Sequence, residues 1–172
     1  GPSLLHAYLG RSDTPLWDGW LDTGDEGFLE ETGELFLCGR AKDMIVLRGQ
    51  NHAPQDLERA VDTVAGVRTG CVIAVGDVTE LGEQVLVFVE ARAPRPSLAE
   101  ECQQAILKAT GIQPHLVVIL EPGTLPRTSS GKLRRTETLK QWKTKKLLPP
   151  EKITPWLLAG ALARSMLGYL RS

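Results

Sequence analysis

Lys132 closes the run TSSGK inside the longer stretch LPRTSSGKLRR, Leu125 to Arg135. A lysine there is a point cation on a long stem, suited to phosphate oxygens. The small residues before it can turn backbone N–H groups toward the same anion. The run is not the G-x-x-x-x-G-K-[ST] phosphate loop, because the first glycine and the hydroxyl after the lysine are missing. Taken alone, a lysine after Ser-Gly is more often a solvated surface charge, so it needs partners. WLDTGDEGF and FLCGRAKDMIVLRGQNHAPQDLE supply candidates in tight, Gly-bounded turns. Asp25 offers two carboxylate oxygens to sugar hydroxyls, and Arg40 can donate to the same group in its fork geometry. Asp and Gly also suit plain hairpin turns, and at this level that plainer reading is favoured.

Several elements must hold these residues. Trp17 to Thr23 and Asp25 to Leu29 read as short extended pieces. A turn at Glu30 to Gly33 leads into a strand from Glu34 to Cys38. DMIVLRG, Asp43 to Gly49, reads as a further apolar strand. Pro54 suits the first position of a helix carrying Leu57, Ala60, Val61 and Val64 at helical spacing, with Gly66 ending it. CVIAVGD and QVLVFVEA read as strands joined by a polar, Gly-containing loop. Ser97 is placed to cap a helix running to Thr110, and Gly111 stops it. HLVVIL, His115 to Leu120, reads as a buried strand, and a helix follows near Arg135 to Trp142. The fold class is therefore α+β: a small mixed β-sheet flanked by helices, preceded by a β-hairpin and hinge region.

A chain of 172 residues can hold one domain with a real core. Its net charge of -1 gives no global reason to expect nucleic-acid binding. Three cysteines, Cys38, Cys71 and Cys102, stand far apart without metal-ligand spacing, which reads as reduced, buried thiols of a cytoplasmic protein. Gly1-Pro2-Ser3 has the form of a protease-cleavage scar, so a fragment is expected. Lys132 to Lys146 carries seven basic residues against one acid, yet Trp142 alone is too little aromatic interleaving for RNA. Beyond Pro149-Pro150, Thr154 and Pro155 open a candidate amphipathic helix with Leu158, Leu162 and Met166 on one face. It is too short and interrupted to span a bilayer; docking on another domain suits it better than lying on a membrane surface.

TGDEGFL, GRAKDMIVLRGQNHAPQDLE and LPRTSSGKLRR stand in the order and spacing of the C-terminal region of the adenylate-forming superfamily. The resemblance covers Trp17 to Trp142. RGQNHAPQDLE looks most like the fatty-acyl-AMP ligases. The resemblance implies residues 1–41 as the end of an N-terminal catalytic region, 42–146 as a mobile C-terminal domain, and 147–172 as a linker and helix. It implies that Asp25 and Arg40 hold the adenylate ribose, that Lys42 is the hinge, and that Lys132 is the catalytic lysine. Gly49, Gln50 and Asn51 would form the thiol-transfer loop, and His52 would position rather than transfer protons. The implied reaction joins a fatty acid to AMP from ATP and Mg²⁺, then passes the acyl group to an acyl carrier protein. The N-terminal domain would hold most of the nucleotide site, leaving the isolated chain inactive. An acyl-CoA synthetase, a peptide-synthetase adenylation domain, or a non-catalytic lipid- or partner-binding module with this fold are the alternatives.

Overall fold

Two apolar runs, CVIAV and VLVFV, lack the polar alternation of a half-exposed strand, which calls for burial on both faces. A computed structural model describes residues 16–80 and 82–149. In chain order it contains β1 (Leu16–Trp17), β2 (Trp20–Leu21), β3 (Asp25–Leu29), β4 (Leu35–Arg40), a single 3-10 turn (Ala41–Asp43), β5 (Ile45–Leu47) and β6 (Gln50–His52). Then come α1 (Pro54–Asp62), β7 (Val67–Thr79), β8 (Gly82–Ala91), α2 (Leu98–Thr110), β9 (Leu116–Leu120) and α3 (Arg135–Lys143). The candidate helix from Thr154 lies outside the described residues.

The central sheet has the order β7-β8-β9, with β7 antiparallel and β9 parallel to β8. Side chains alternate across it. Val72, Ala74, Val85, Val87 and Val89 face α1 and α2, meeting Leu57, Val61, Leu98, Cys102 and Ile106. Ile73, Val75, Leu86 and Phe88 face the other way, toward Leu125 and α3 residues Leu139 and Trp142. Trp142 meets Phe88 edge-on with ring centroids 5.5 Å apart. The segment holding Lys132 thus closes one face of the sheet while α1 and α2 close the other.

Local signals hold at most element ends. Pro54 occupies the first turn of α1, as expected from its fixed φ. α2 ends at Gly111 in a left-handed cap. Three expectations need correction. DMIVLRG is not one strand: its start winds into the 3-10 turn, and β5 then folds back on β6 through Arg48 and Gly49. Both have positive φ, 54° and 73°, the signature of a tight two-residue hairpin turn. Ser97 stands before α2 but does not cap its backbone; its hydroxyl donates to Glu101 Oε1 at 2.7 Å. Cys38 is half-buried, unlike Cys71 and Cys102, and all three thiols are free. His115 is structural, as expected: its N–H donates to the Val85 carbonyl, and its Nδ1 accepts from the Val85 N–H.

Candidate functional site

The TSSGK stretch forms a closed hairpin tip. An antiparallel bridge joins Arg127 to Leu133, and the Arg134 N–H donates to the Pro126 carbonyl at 3.0 Å. Inside the loop, the Thr128 N–H donates to the Lys132 carbonyl and the Gly131 N–H to the Thr128 carbonyl. The Lys132 N–H donates to Thr128 Oγ1 at 3.0 Å, and Thr128 and Ser130 hydroxyls meet at 2.9 Å. Gly131 has φ +84°, where a side chain would strain the turn. The small residues therefore serve the loop itself: three of the backbone N–H groups that a phosphate could have taken are used internally. What the loop offers outward is the exposed Lys132 side chain, which has no ion-pair or hydrogen-bond partner among the described residues.

Beneath the loop lies a carboxylate that patterning alone does not reveal. Glu90, at the end of β8, is fully buried and on the same face as Leu86 and Phe88. Its Oε2 accepts from Arg68 at 2.8 Å and its Oε1 from the Leu125 N–H at 2.9 Å. Burial pushes the carboxyl upward, but backbone hydrogen bonds from Gly123 and Leu125, with the Arg68 guanidinium, outweigh it and hold Glu90 below its ordinary value. Beside it, Arg127 donates to the Gly131 carbonyl at 2.9 Å and to Cys71 Sγ at 3.0 Å. Burial and the Glu90 charge raise the Cys71 thiol against the pull of Arg68 and Arg127.

Asp25 and Arg40 are brought together as cross-strand partners on β3 and β4. Arg40 Nε lies 2.8 Å from Asp25 Oδ1, and another of its nitrogens donates to the Thr23 carbonyl at 2.9 Å. Gly27 is required here for close approach: an added Cβ would stand 2.5 Å from the Phe36 carbonyl oxygen. The pair opens onto a cleft of about 300 Å³ that Asp43, Gln55, Arg59 and Arg135 also line. Gln55 Oε1 is buried there without a hydrogen-bond partner among the described residues. Lys42, in the 3-10 turn, lines an adjoining cleft of about 220 Å³ with Asp43, Gly76, Arg135 and Thr136. Asp43 and Arg135 border both clefts. Arg135 Nε and a terminal nitrogen reach Glu58 at 3.0 and 2.7 Å, and its other terminal nitrogen lies 3.6 Å from Asp43. This ties the start of α3 to α1 and to the turn holding Lys42.

Gly49 forms the β5–β6 turn, while Gln50 and Asn51 are exposed strand residues. Asn51 lines a cleft of about 410 Å³ and Gln50 one of about 710 Å³, both bordered by the end of α2 and by His52. Lys132 lines neither of these clefts, nor the two beside the 3-10 turn. The structure thus joins Asp25 with Arg40 and brings Lys42 next to them through Asp43 and Arg135, while Gln50 and Asn51 line separate clefts. No group of three or more His, Cys, Asp or Glu side chains gathers as metal ligands among the described residues.

Comparison with known proteins places the chain in the adenylate-forming ligase superfamily. Residues 42–151 match the family described as Disco-interacting protein 2-like, AMP domain, and the chain belongs to that family. A Mycobacterium tuberculosis protein named as a ligase, Rv1013, is 43% identical over 148 residues, which are 81% of this chain and 27% of the relative. A Mycobacterium leprae protein named as the fatty-acid–CoA ligase fadD21 is 35% identical over 153 residues, 83% of this chain and 25% of the relative. A structure from work on fatty acyl-adenylate ligases of E. coli and L. pneumophila superposes with a TM-score of 0.62 at 34% identity, covering 74% of this chain and 23% of that one. The chain spans about a quarter of the length of the relatives it matches.

Proposed function

We propose that this chain is the C-terminal lid of a fatty-acyl-AMP ligase, turning about Lys42 and delivering Lys132 to the reacting centre. The observation that carries this reading is the Lys132 ammonium, unpartnered among the described residues on a loop that Thr128, Ser130 and Gly131 close by internal hydrogen bonds. In the first step a fatty-acid carboxylate oxygen attacks the α-phosphorus of ATP, the α–β P–O bond breaks, and pyrophosphate leaves. Negative charge builds where carboxylate meets phosphate, and a preorganised ammonium there lowers the barrier. Asp25 and Arg40 hold the ribose in this reading. In this reading the metal and most of the ATP contacts belong to a domain outside this chain; among the described residues no group of three or more His, Cys, Asp or Glu side chains gathers as metal ligands. In the second step the lid swings, the Gly49–Asn51 segment faces the acyl-AMP, and the carrier protein's pantetheine sulfur attacks the acyl carbon as AMP leaves. The free thiols fit the reducing cytoplasm this reading expects.

A second acceptor has support in the relative named as a fatty-acid–CoA ligase. Acyl transfer by the full-length enzyme to pantetheinylated carrier protein and to coenzyme A separates the two. Efficient acyl-CoA formation would move the assignment.

The half-reactions test the roles. Lys132→Ala should lower acyl-AMP formation, read as pyrophosphate release, by at least about a hundredfold while sparing transfer from supplied acyl-AMP. Lys42→Pro should do the reverse. Proline's φ suits a 3-10 turn, and the turn's own hydrogen bond runs from the Met44 N–H to the Ala41 carbonyl, so it stays intact. Normal adenylation by Lys132→Ala would reduce that lysine to a surface charge.

A further inference from the structure

A long side chain on a hairpin tip is useful in catalysis only if the tip itself is fixed. Errors of about 1 Å in the placement of a reacting group can cost roughly a hundredfold in rate. The tip is held from outside at two points. At its entry, the Leu125 N–H donates to Glu90. At its end, one guanidinium spans two anchors: Arg127 grips the Gly131 carbonyl, immediately before Lys132, and Cys71 on β7. Two features argue that these contacts serve more than folding. Glu90 is a fully buried charge on a strand otherwise packed with valine, leucine and phenylalanine, where an apolar residue would suit the core equally well. Arg127 is a second cation on the Lys132 hairpin, yet both of its terminal nitrogens are engaged within the fold.

We infer that Glu90 and Arg127 are positioning residues for Lys132, bracing the entry and the tip of its loop against β8 and β7. This rests on the reading of Lys132 as the adenylation lysine. Cys71 is the sulfur acceptor for the tip anchor, and the Leu125 N–H together with Arg68 holds the Glu90 carboxylate in place.

The test uses the full-length enzyme and measures the two half-reactions separately for Lys132→Ala, Arg127→Ala, Arg127→Lys and Glu90→Gln. Arg127→Ala should lower kcat for acyl-AMP formation by about ten- to a hundredfold. Its KM for ATP and fatty acid, and transfer from supplied acyl-AMP, should stay within about twofold. Arg127→Lys should fall between wild type and Arg127→Ala, since one ammonium cannot span both anchors. Glu90→Gln should show the same split between half-reactions; because it also disturbs a buried charge, its rates are corrected for the folded fraction. Should Glu90→Gln not fold, the Arg127 pair decides. Equal loss of both half-reactions in Arg127→Ala would mean a merely structural contact. A raised KM for ATP at unchanged kcat would make Arg127 a substrate ligand. Either result, or an Arg127→Ala enzyme of normal rate beside a dead Lys132→Ala enzyme, overturns the brace and leaves Lys132 standing. Normal adenylation by Lys132→Ala would overturn both.

Discussion

Replacing Arg135 by methionine should cost this domain about 2 to 3 kcal/mol. Methionine keeps much of the apolar stem, so packing changes little and the loss is that of the guanidinium. Among the described residues, Glu58 then loses donors at 3.0 and 2.7 Å and keeps the Ala74 N–H at 3.0 Å. The Arg135 and Glu58 side chains are 22% and 14% exposed, so the pair is neither a surface bridge nor a dry one. Exposed pairs contribute about 0 to 1 kcal/mol, whereas removing one partner of a fully buried pair costs about 3 to 5 kcal/mol. Two charge-assisted hydrogen bonds with residual solvent access fall between these limits. Urea unfolding of the chain, followed by tryptophan fluorescence and helical circular dichroism, should move its midpoint down by roughly 1 to 2 M at an ordinary m-value. The double variant with Glu58→Gln should lose at least about 1 kcal/mol less than the sum of the single changes. A midpoint shift under about 0.3 M, or additivity within error, would mean that the pair does not form in solution. The link between α3 and the Lys42 turn would then fail with it.

Two further outcomes follow from the titrating groups. Glu101 is held down to about 2, from its ordinary 4.5, by hydrogen bonds from Arg95 and Ser97. A depressed carboxyl stabilises the fold above its unfolded value and loses that contribution as pH falls through the folded one. Glu101→Gln should therefore flatten the pH dependence of thermal stability between roughly pH 4.5 and 2, and leave the slope at pH 6 to 8 unchanged. An unchanged acid slope would contradict the Arg95 contact. Among the thiols, burial raises Cys102 to about 11 and also raises Cys71. In native protein an aromatic disulfide reagent should label half-buried Cys38 quickly, and the other two only on unfolding. Rapid labelling of three thiols without denaturant would contradict the packed core.

Sequence by itself determined what is local. The Pro54 start of α1, the Gly111 end of α2, the span of α3 and the two apolar strands follow from fixed φ, left-handed capping and hydrophobic runs, each readable within about ten residues. The candidate site residues stand in the sequence as motif positions, whereas the strand ends at Cys38 in that reading and the pairing of Asp25 with Arg40 came only with the structure. Tertiary structure decided what supports them. Arg68 meets Glu90 across 22 residues, Arg127 meets Cys71 across 56, and Arg135 meets Glu58 across 77. In the sequence Glu90 is one more acid at the end of a strand. Only parallel pairing of β9 with β8, and the loop folded over their shared face, removes it from water and makes a charge there need partners. Backbone preferences act between neighbours along the chain, whereas desolvation is set by whatever the whole fold brings near, and so the braces beneath Lys132 appear only once the sheet is assembled.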